Sequence, residues 1–324
     1  MIIFKTLARV SLLTYFISTS ITPLHAACTP AGTAGDDVVS CTGTINAFQF
    51  LLGGNDTVTL TNVTARTYAN SYWLDEALGG NAVTDGNDIF IANNSQFHWV
   101  LGFGGDDRFE ILNSEFNNLY ADTNPGHGTA QRGNDTILIE NAISYGYILG
   151  GNDNDYIEIK DSNVSNVASG YSNIYTGILI QGGDGSDKVV IETPTNITAT
   201  TLNGGDDRDS ADTFVDQLSF KQWTGDLNGS QLLNWEQMVL DDNSKITFLD
   251  NNLSLGTNTG LDVVSGLPYG LSIQNNAELF IDHSFFTRWQ CTQCCHHKHA
   301  RWKCSGESTY HSPQLYFNQC FTLS

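Results

Sequence analysis

The feature that most constrains the fold of this chain is a short motif that recurs between residues 53 and 215. Each copy places glycine and Asn or Asp before an aspartate, and apolar residues then alternate with others. The copies are GGNDTVTL (53–60), GNDIFI (86–91), GGDDRFEI (104–111), GNDTILI (133–139), GGNDNDYIEI (150–159), GGDGSDKVVI (182–191) and the degenerate GGDDRDSADTFV (204–215). The aspartates expected just before the strands are Asp56, Asp88, Asp107, Asp135, Asp155, Asp187 and Asp212. Their loose period of about 26 residues is typical of a solenoid.

Each copy has the chemistry of a turn followed by a strand. Glycine supplies positive φ, and Asn or Asp bonds its own backbone in turns. Alternation then predicts strands with one buried face. That face is expected to contain Val58/Leu60, Ile89/Ile91, Phe109/Ile111, Ile137/Ile139, Ile157/Ile159 and Val189/Ile191. Further strands are expected at the apolar runs 50–52, 99–101, 147–149 and 178–180.

These strands predict an all-β chain, a parallel β-helix of roughly ten coils over residues 28–284. A sandwich or barrel of hairpins is the alternative, but hairpins favour two-residue turns and the spacing here is long. After residue 212 the glycine turn is lost while the alternation continues at Leu218/Phe220, Met238/Leu240 and Ile246/Phe248. We interpret these as later coils, with a short helix at Ser230–Glu236 capped by Ser230.

The first 27 residues have the pattern of a secretory signal peptide. Lys5 and Arg9 precede a mostly apolar stretch that ends in small residues at Ala26 and Ala27. This stretch is too short and too interrupted to be expected to span a bilayer. An N-terminal anchor and a lipoprotein signal ending at Cys28 are the alternatives. We therefore expect residues 1–27 to be removed and the rest to be exported.

Charge and cysteine usage fit an exported protein. The net charge is −21, with 14 Lys and Arg against 35 Asp and Glu. Such a chain has no basic surface for nucleic acid and is not a basic membrane-surface protein. In an oxidising compartment Cys28 and Cys41 are expected to form a disulfide.

Several of these features together resemble one family. They are the signal pattern, CTPAGTAGDDVVSC (28–41), the GGNDT turns and LSFKQWTGDLNGSQLLNWEQMVLDDNSKITF (218–248). This combination is similar to the passenger region of bacterial autotransporters. The resemblance implies a structural or adhesive β-helical rod that an outer-membrane β-barrel helps to display on a Gram-negative cell. It leaves the host or cell-surface ligand unknown. No barrel strands follow residue 284, so we expect this chain to stop in the periplasm and to lack that membrane contact.

Residues 285–324 differ sharply from the acidic body before them. They hold five of the seven cysteines, at Cys291, Cys294, Cys295, Cys304 and Cys320. A one-base frameshift would explain this, because Trp289 and Trp302 would both become glycine in the shifted frame. The alternatives are a zinc site of these cysteines with neighbouring histidines, or a disulfide-linked tail.

No motif identifies a catalytic site. GGDGSDKVV (182–190) matches the calcium-binding nonapeptide, which makes Asp153, Asp155, Asp184 and Asp187 weak Ca²⁺ candidates. Turn-capping by these aspartates is the simpler interpretation. We expect no other cofactor. A carbohydrate-active β-helix enzyme remains an alternative to the adhesive rod, because carboxylates are abundant; His98, His127 and His283 are isolated along the chain. No Gly-x-Ser-x-Gly motif supports a serine esterase.

Overall fold

A computed structural model describes most of the acidic body of the chain. The described residues are 27–29, 32–45, 49–51, 53–64, 71–74, 86–122, 132–164, 178–205, 214–250, 252–256, 269–281 and 322–323. The predicted signal peptide lies outside them except for Ala27. Of the predicted anomalous tail, they include only Thr322 and Leu323. Within these residues no helix is long and apolar enough to cross a membrane.

The described residues are all-β and form three sheets, with strands numbered along the chain. Sheet A has the strand order β1 (Ala27–Thr29), β2 (Val38–Gly43), β4 (Thr57–Val63), β6 (Ile89–Asn93), β8 (Arg108–Leu112), β10 (Thr136–Glu140), β13 (Tyr156–Lys160), β16 (Lys188–Glu192), β18 (Gln217–Lys221), β21 (Gln237–Asp241), β23 (Gly270–Ile273) and β25 (Thr322–Leu323). Except for the antiparallel β1–β2 pair, its neighbouring strands are parallel.

The second and third sheets are built from the intervening strands. Sheet B has the order β20 (Leu232–Leu233), β17 (Thr200–Asn203), β15 (Ile178–Asp184), β12 (Ile148–Asn152), β9 (Glu115–Asp122), β7 (Gln96–Phe103), β5 (Ser71–Trp73) and β3 (Gln49–Phe50). In addition, β11 (Ile143–Ser144) pairs with β9, and β14 (Asn163–Val164) pairs with β11. Sheet C contains β19 (Thr224–Leu227), β22 (Lys245–Phe248) and β24 (Glu278–Ile281). We call the chain from one sheet A strand to the next a coil.

The coils stack in register, and this places like residues in columns through the core. In sheet A, the second residues of neighbouring strands pair with one another from β4 to β23. That column is Val58, Phe90, Phe109, Ile137, Ile157, Val189, Leu218, Met238 and Leu271, and all are buried. A parallel sheet with one apolar face against a shared core explains why the alternation is so regular.

The predicted buried faces are confirmed in every coil except one. In β6 the buried residues are Phe90 and Ala92, whereas Ile89 is 38 % exposed. The prediction of Ile89 and Ile91 was wrong because register, not hydrophobicity, decides the face. From β2 to β16, the residue after the motif aspartate is exposed or half-buried, and in this coil it is an isoleucine.

Two boundary predictions need correction. The residue that precedes β18 is Asp216, so Asp216 occupies the place expected for Asp212, which lies outside the described residues. The helix expected at Ser230–Glu236 is a single 3₁₀ turn at Gly229–Gln231 that follows Asn228, and strand β20 begins directly after it. The side chain of Gln231 accepts the backbone N–H of Asn228 at 3.0 Å and closes this turn.

The first strands are tied together covalently. A disulfide joins Cys28 to Cys41, which face each other across the antiparallel β1–β2 pair. Cys41 is buried and belongs to the apolar core. The disulfide therefore fixes β1 against the edge of β2, which would otherwise be open to another strand.

Candidate functional site: a buried column of carboxyl groups

The motif aspartates form one continuous column at the corner before sheet A. The carboxylate Oδ1 of each aspartate after Asp37 accepts the backbone N–H of the equivalent residue in the preceding coil, at 2.7–2.9 Å. The members are Asp37, Asp56, Asp88, Asp107, Asp135, Asp155, Asp187 and Asp216, and all are buried. At the far end, the N–H of Asp216 donates to Glu236 at 2.9 Å. We call this set the aspartate column.

Glycine beside the column is required for space. Gly150 and Gly182 precede Asp155 and Asp187 by five residues, and a Cβ on either would overlap the aspartate Oδ2. Gly183 has a φ of +139°, and a Cβ there would overlap the carbonyl oxygen of Gly151. The Gly-Gly pairs are thus explained by close approach of backbone and carboxyl groups, besides turn formation.

A second, exposed column lies one residue earlier in each coil, and its hydrogen bonds run in the opposite direction along the stack. Here the N–H of the later coil donates to the side-chain oxygen of the earlier coil, as from Asn87 to Asn55 at 2.9 Å and from Asn134 to Asp106 at 2.8 Å. Asp106 and Asp107 therefore belong to different columns, one exposed and one buried. Each coil is consequently hydrogen-bonded by side chains from both of its neighbours.

The corner after sheet A carries a column of hydroxyl groups. Ser95 Oγ accepts the N–H of Val63, and Ser114 Oγ accepts the N–H of Ser95, at 3.1 and 3.0 Å. Each hydroxyl also donates to the carbonyl two residues earlier. Ser162, Thr195 and Ser244 continue this serine column in later coils. At Ala142 the hydroxyl is missing, although that residue donates to Ser162 at 3.1 Å.

Burial strongly raises the pKa values of several carboxyl groups in the aspartate column. Desolvation, with repulsion from Asp106 and Asp153, raises the pKa of Asp135 to about 7. Desolvation also raises the pKa of Asp56 to about 6 and that of Asp155 well above its usual range. In all three, Oδ2 is buried and has no hydrogen-bond partner within the described part of the chain. These oxygens are therefore the unusual chemical groups of the site.

Asp122 is a further perturbed carboxyl group, outside the column. It ends strand β9, and its Oδ2 accepts the N–H of Asn152 at 2.6 Å. Its Oδ1 is buried without a partner among the described residues. Desolvation, with repulsion from Asp135 and Asp153, raises the pKa of Asp122 to about 8. With a pKa of about 8, Asp122 is mainly in its protonated form at neutral pH.

The structure separates the four predicted calcium candidates. Asp155 and Asp187 are buried in the aspartate column, with Oδ1 committed to backbone N–H groups. Asp153 forms a half-exposed ion pair with Arg132 at 3.2 Å, and Asp184 lies on β15, paired with Asn152. Across the described residues, no group of three or more His, Cys, Asp or Glu side chains could hold a metal ion. Calcium binding at these positions stays a prediction.

The outer face of sheet B carries a separate aromatic cluster. Trp99 and Tyr120 meet edge to face with ring centroids 6.3 Å apart, and Leu101, Phe103 and Leu149 pack with them. The ring centroids of His98 and Trp99 are 5.2 Å apart, and burial lowers the pKa of His98 to about 4. His98 is therefore neutral at physiological pH and belongs to a packed region. His127 and His283 lie outside the described residues.

The buried carboxyl groups can accept hydrogen bonds from backbone N–H groups and can bind protons. One of them, Asp122, lies outside the aspartate column. Neither the aspartate column nor Asp122 was recognised as a unit from sequence. The signal for the column was available, since an aspartate occurs at the same place in each copy of the motif. Asp122 follows no motif, and no sequence signal marks it. The chain matches no known protein family, no curated protein and no solved structure.

Proposed function

We propose that this protein is a parallel β-helix that serves as the passenger region of an autotransporter-like protein, exported through its first 27 residues. Its role is to hold surface loops on a rigid rod for structural or adhesive contact with another cell. The stacked aspartate column is the observation that supports this most directly. It joins each coil to the next by hydrogen bonds, so that the stacked coils form one long and rigid element.

Export is the first part of the proposal to test. The full chain, expressed in a Gram-negative host, is expected to appear in the periplasmic fraction with an N-terminus close to Cys28. Edman sequencing or mass spectrometry of the purified product reads this directly. A product that keeps residues 1–27 and stays in the cytoplasmic fraction would contradict export.

Adhesion is tested with the same purified chain. We expect saturable binding to immobilised extracellular-matrix proteins or to glycans on an array, with no chemical change in the bound partner. Heat-unfolded chain serves as the control for charge-driven adsorption, since unfolding leaves the acidic net charge of the chain unchanged. Equal binding by folded and unfolded chain would contradict a role for the rod.

A carbohydrate-active enzyme is the second candidate, and Asp122 is the observation that favours it. An acid that holds its proton at neutral pH, as this buried carboxyl does, is what a glycosidic leaving group requires. The test is release of reducing ends from neutral and acidic polysaccharides by the full chain. Activity that is lost in Asp122→Asn, with the fold intact, would replace the adhesive proposal. No release from any polysaccharide would remove this candidate.

A further inference from the structure

The aspartate column poses a charge problem that its hydrogen bonds do not solve. Consecutive carboxyl groups stand one strand spacing apart, about 4.8 Å, because the coils stack in register. Oδ1 of each is satisfied by a backbone N–H, while Oδ2 of Asp56 and of Asp135 is buried without a partner in the described part of the chain. A row of buried carboxylates at this spacing cannot remain fully ionised without a compensating charge.

Among the described residues, no basic side chain supplies that charge to Asp56 or Asp135. The charged groups that change the pKa of Asp135 are acidic: Asp106 and Asp153 repel its carboxylate and raise its pKa. Asp135 in turn raises the pKa values of Asp122 and Asp155 by the same repulsion. Arg132 is 69 % exposed and paired with Asp153. Of the two strands beside β10, β8 begins with the exposed Arg108 and β13 begins with Tyr156, which carries no positive charge. The groups that act on Asp56 are Asp36 and Asp37, which are also acidic.

A metal ion is also poorly accommodated. At Gly102, Gly150, Gly182 and Gly204, the space above the glycine Cα is already filled by an aspartate Oδ2 of the column. This packing leaves the Oδ2 atoms of Asp107, Asp155, Asp187 and Asp216 close to glycine carbon atoms, where several oxygen ligands cannot converge on one cation. The described residues hold no cluster suited to a metal ion. A proton is the remaining positive species that fits.

We propose that the aspartate column is a proton-binding site, in which the buried Oδ2 atoms of Asp56 and Asp135 carry protons taken from water as the coils stack. Each uptake converts one carboxylate and one proton into a carboxylic acid, while Oδ1 keeps its bond to the backbone N–H. The raised pKa values of Asp56 and Asp135 agree with this geometry. The rod is consequently strengthened by mild acid and weakened by alkali.

The direction in which stability changes with pH follows from the linkage between folding and proton binding. Both carboxyl groups have a higher pKa folded than unfolded, so the folded state binds more protons than the unfolded state. The stability that these groups contribute is present at low pH and is lost as pH rises through about 6 for Asp56 and about 7 for Asp135. His98 acts in the opposite direction below its usual pKa, so matched variants are required.

The test compares the full chain with Asp56→Asn/Asp135→Asn, in which an amide keeps the acceptor oxygen and replaces the protonated oxygen. Asp226→Asn, at an exposed position of β19, is the matched control. Refolding from urea at pH 6 in weak buffer with an indicator dye measures proton uptake. We expect net uptake by the wild type and by the control, and about one proton fewer in the double variant.

Unfolding equilibria give the second readout. From pH 5 to pH 7 the unfolding constant of the wild type should rise at least tenfold relative to that of the double variant. Equal proton uptake by wild type and double variant would overturn the proposal, as would a constant ratio of unfolding constants. Stabilisation of the wild type alone by 5 mM CaCl₂ at pH 8 would also overturn it, in favour of a cation. If the double variant does not fold, Asp135→Asn alone replaces it, and proton uptake by that variant equal to uptake by the wild type would overturn the proposal.

Discussion

The two corners that flank sheet A solve the same problem with different chemistry. In both, a side chain of one coil accepts the backbone N–H of the coil before it. The aspartate column does so with a buried acid, whereas the serine column uses a neutral hydroxyl. Ser95 and Ser114 donate as well as accept, so their hydrogen bonding is complete. The comparison teaches that charged groups are not required to hold the coils in register, because neutral hydroxyl groups do so at the other end of the same strands.

The backbone differs between the corners as well. The serine column is preceded by Asn or Asp in the left-handed region, with φ between 48° and 50° at Asn94, Asn113 and Asp161. Asparagine tolerates this conformation, so glycine is not needed there. The aspartate corner instead uses glycine, since carboxyl and backbone atoms approach too closely for a Cβ. The aspartate corner should therefore be the more sensitive of the two to substitution.

The largest effect is expected from Gly183→Ala. The new Cβ would overlap the carbonyl oxygen of Gly151, and the residue would keep a φ of +139°. We expect a loss of about 3 kcal/mol in the free energy of unfolding, measured by urea denaturation. Gly35→Ala is the control, since nothing lies within 4 Å of its Cβ position, and it should change stability by less than about 0.5 kcal/mol. Similar losses in both variants would contradict the close-packing argument.

Asp56→Ala should have the next largest effect, and one that depends on pH. It removes the acceptor for the buried N–H of Asp37, at a cost of about 2 kcal/mol at pH 5. The cost should shrink by pH 8, because the pKa of Asp56 is raised to about 6 and the wild type then contains a buried ionised group. Chemical denaturation of both proteins at the two pH values measures this. A cost that grows with pH would refute the stated sign.

Ser114→Ala makes the corresponding change at the other corner. The N–H of Ser95 loses its acceptor, which should lower the free energy of unfolding by about 1 kcal/mol. Since the hydroxyl does not titrate, the difference from wild type should be the same at pH 5 and pH 8. A pH-dependent cost in this variant would show that the two corners do not differ as described.

The smallest predicted effect is a gain. Ala142 interrupts the serine column, and no acceptor side chain stands there for the N–H of Ser114. Ala142→Ser should restore the hydroxyl and raise the free energy of unfolding by about 0.5–1 kcal/mol. The thermal midpoint should rise by a few degrees in calorimetry. Unchanged or lowered stability would indicate that the site cannot accommodate the hydroxyl.

Local chemistry allowed the parallel strands and most of the buried faces to be predicted from sequence. The motif places a turn and a two-residue alternation in each copy, and both are local properties. Ile89 was misplaced because hydrophobicity was counted without the position relative to Asp88. The prediction at Asp212 failed for a similar reason, since the degenerate copy obscures which aspartate, Asp216, directly precedes the strand.

The hydrogen-bonded columns were harder to predict because they exist only between coils. Asp107 and Asp135 are 28 residues apart in sequence, and nothing local indicates that one accepts the N–H of the other. The serine column left a faint signal, an Asn-Ser pair after β6 and after β8. Its meaning depends on register that sequence spacing does not provide. Asp122 depends on burial at the end of β9, which is likewise a property of the assembled sheets.

The opposed directions of the two columns before sheet A have a consequence for how such a gene can change. From Asp36/Asp37 to Ser186/Asp187, every junction between coils uses the same pair, an exposed or half-buried Asn, Asp or Ser followed by a buried aspartate, although neighbouring junctions lie from 19 to 32 residues apart. Removing or duplicating the stretch between two equivalent aspartates restores an identical junction. Recombination can thus lengthen or shorten the protein in whole units, and selection can act on its reach independently of its folding rules.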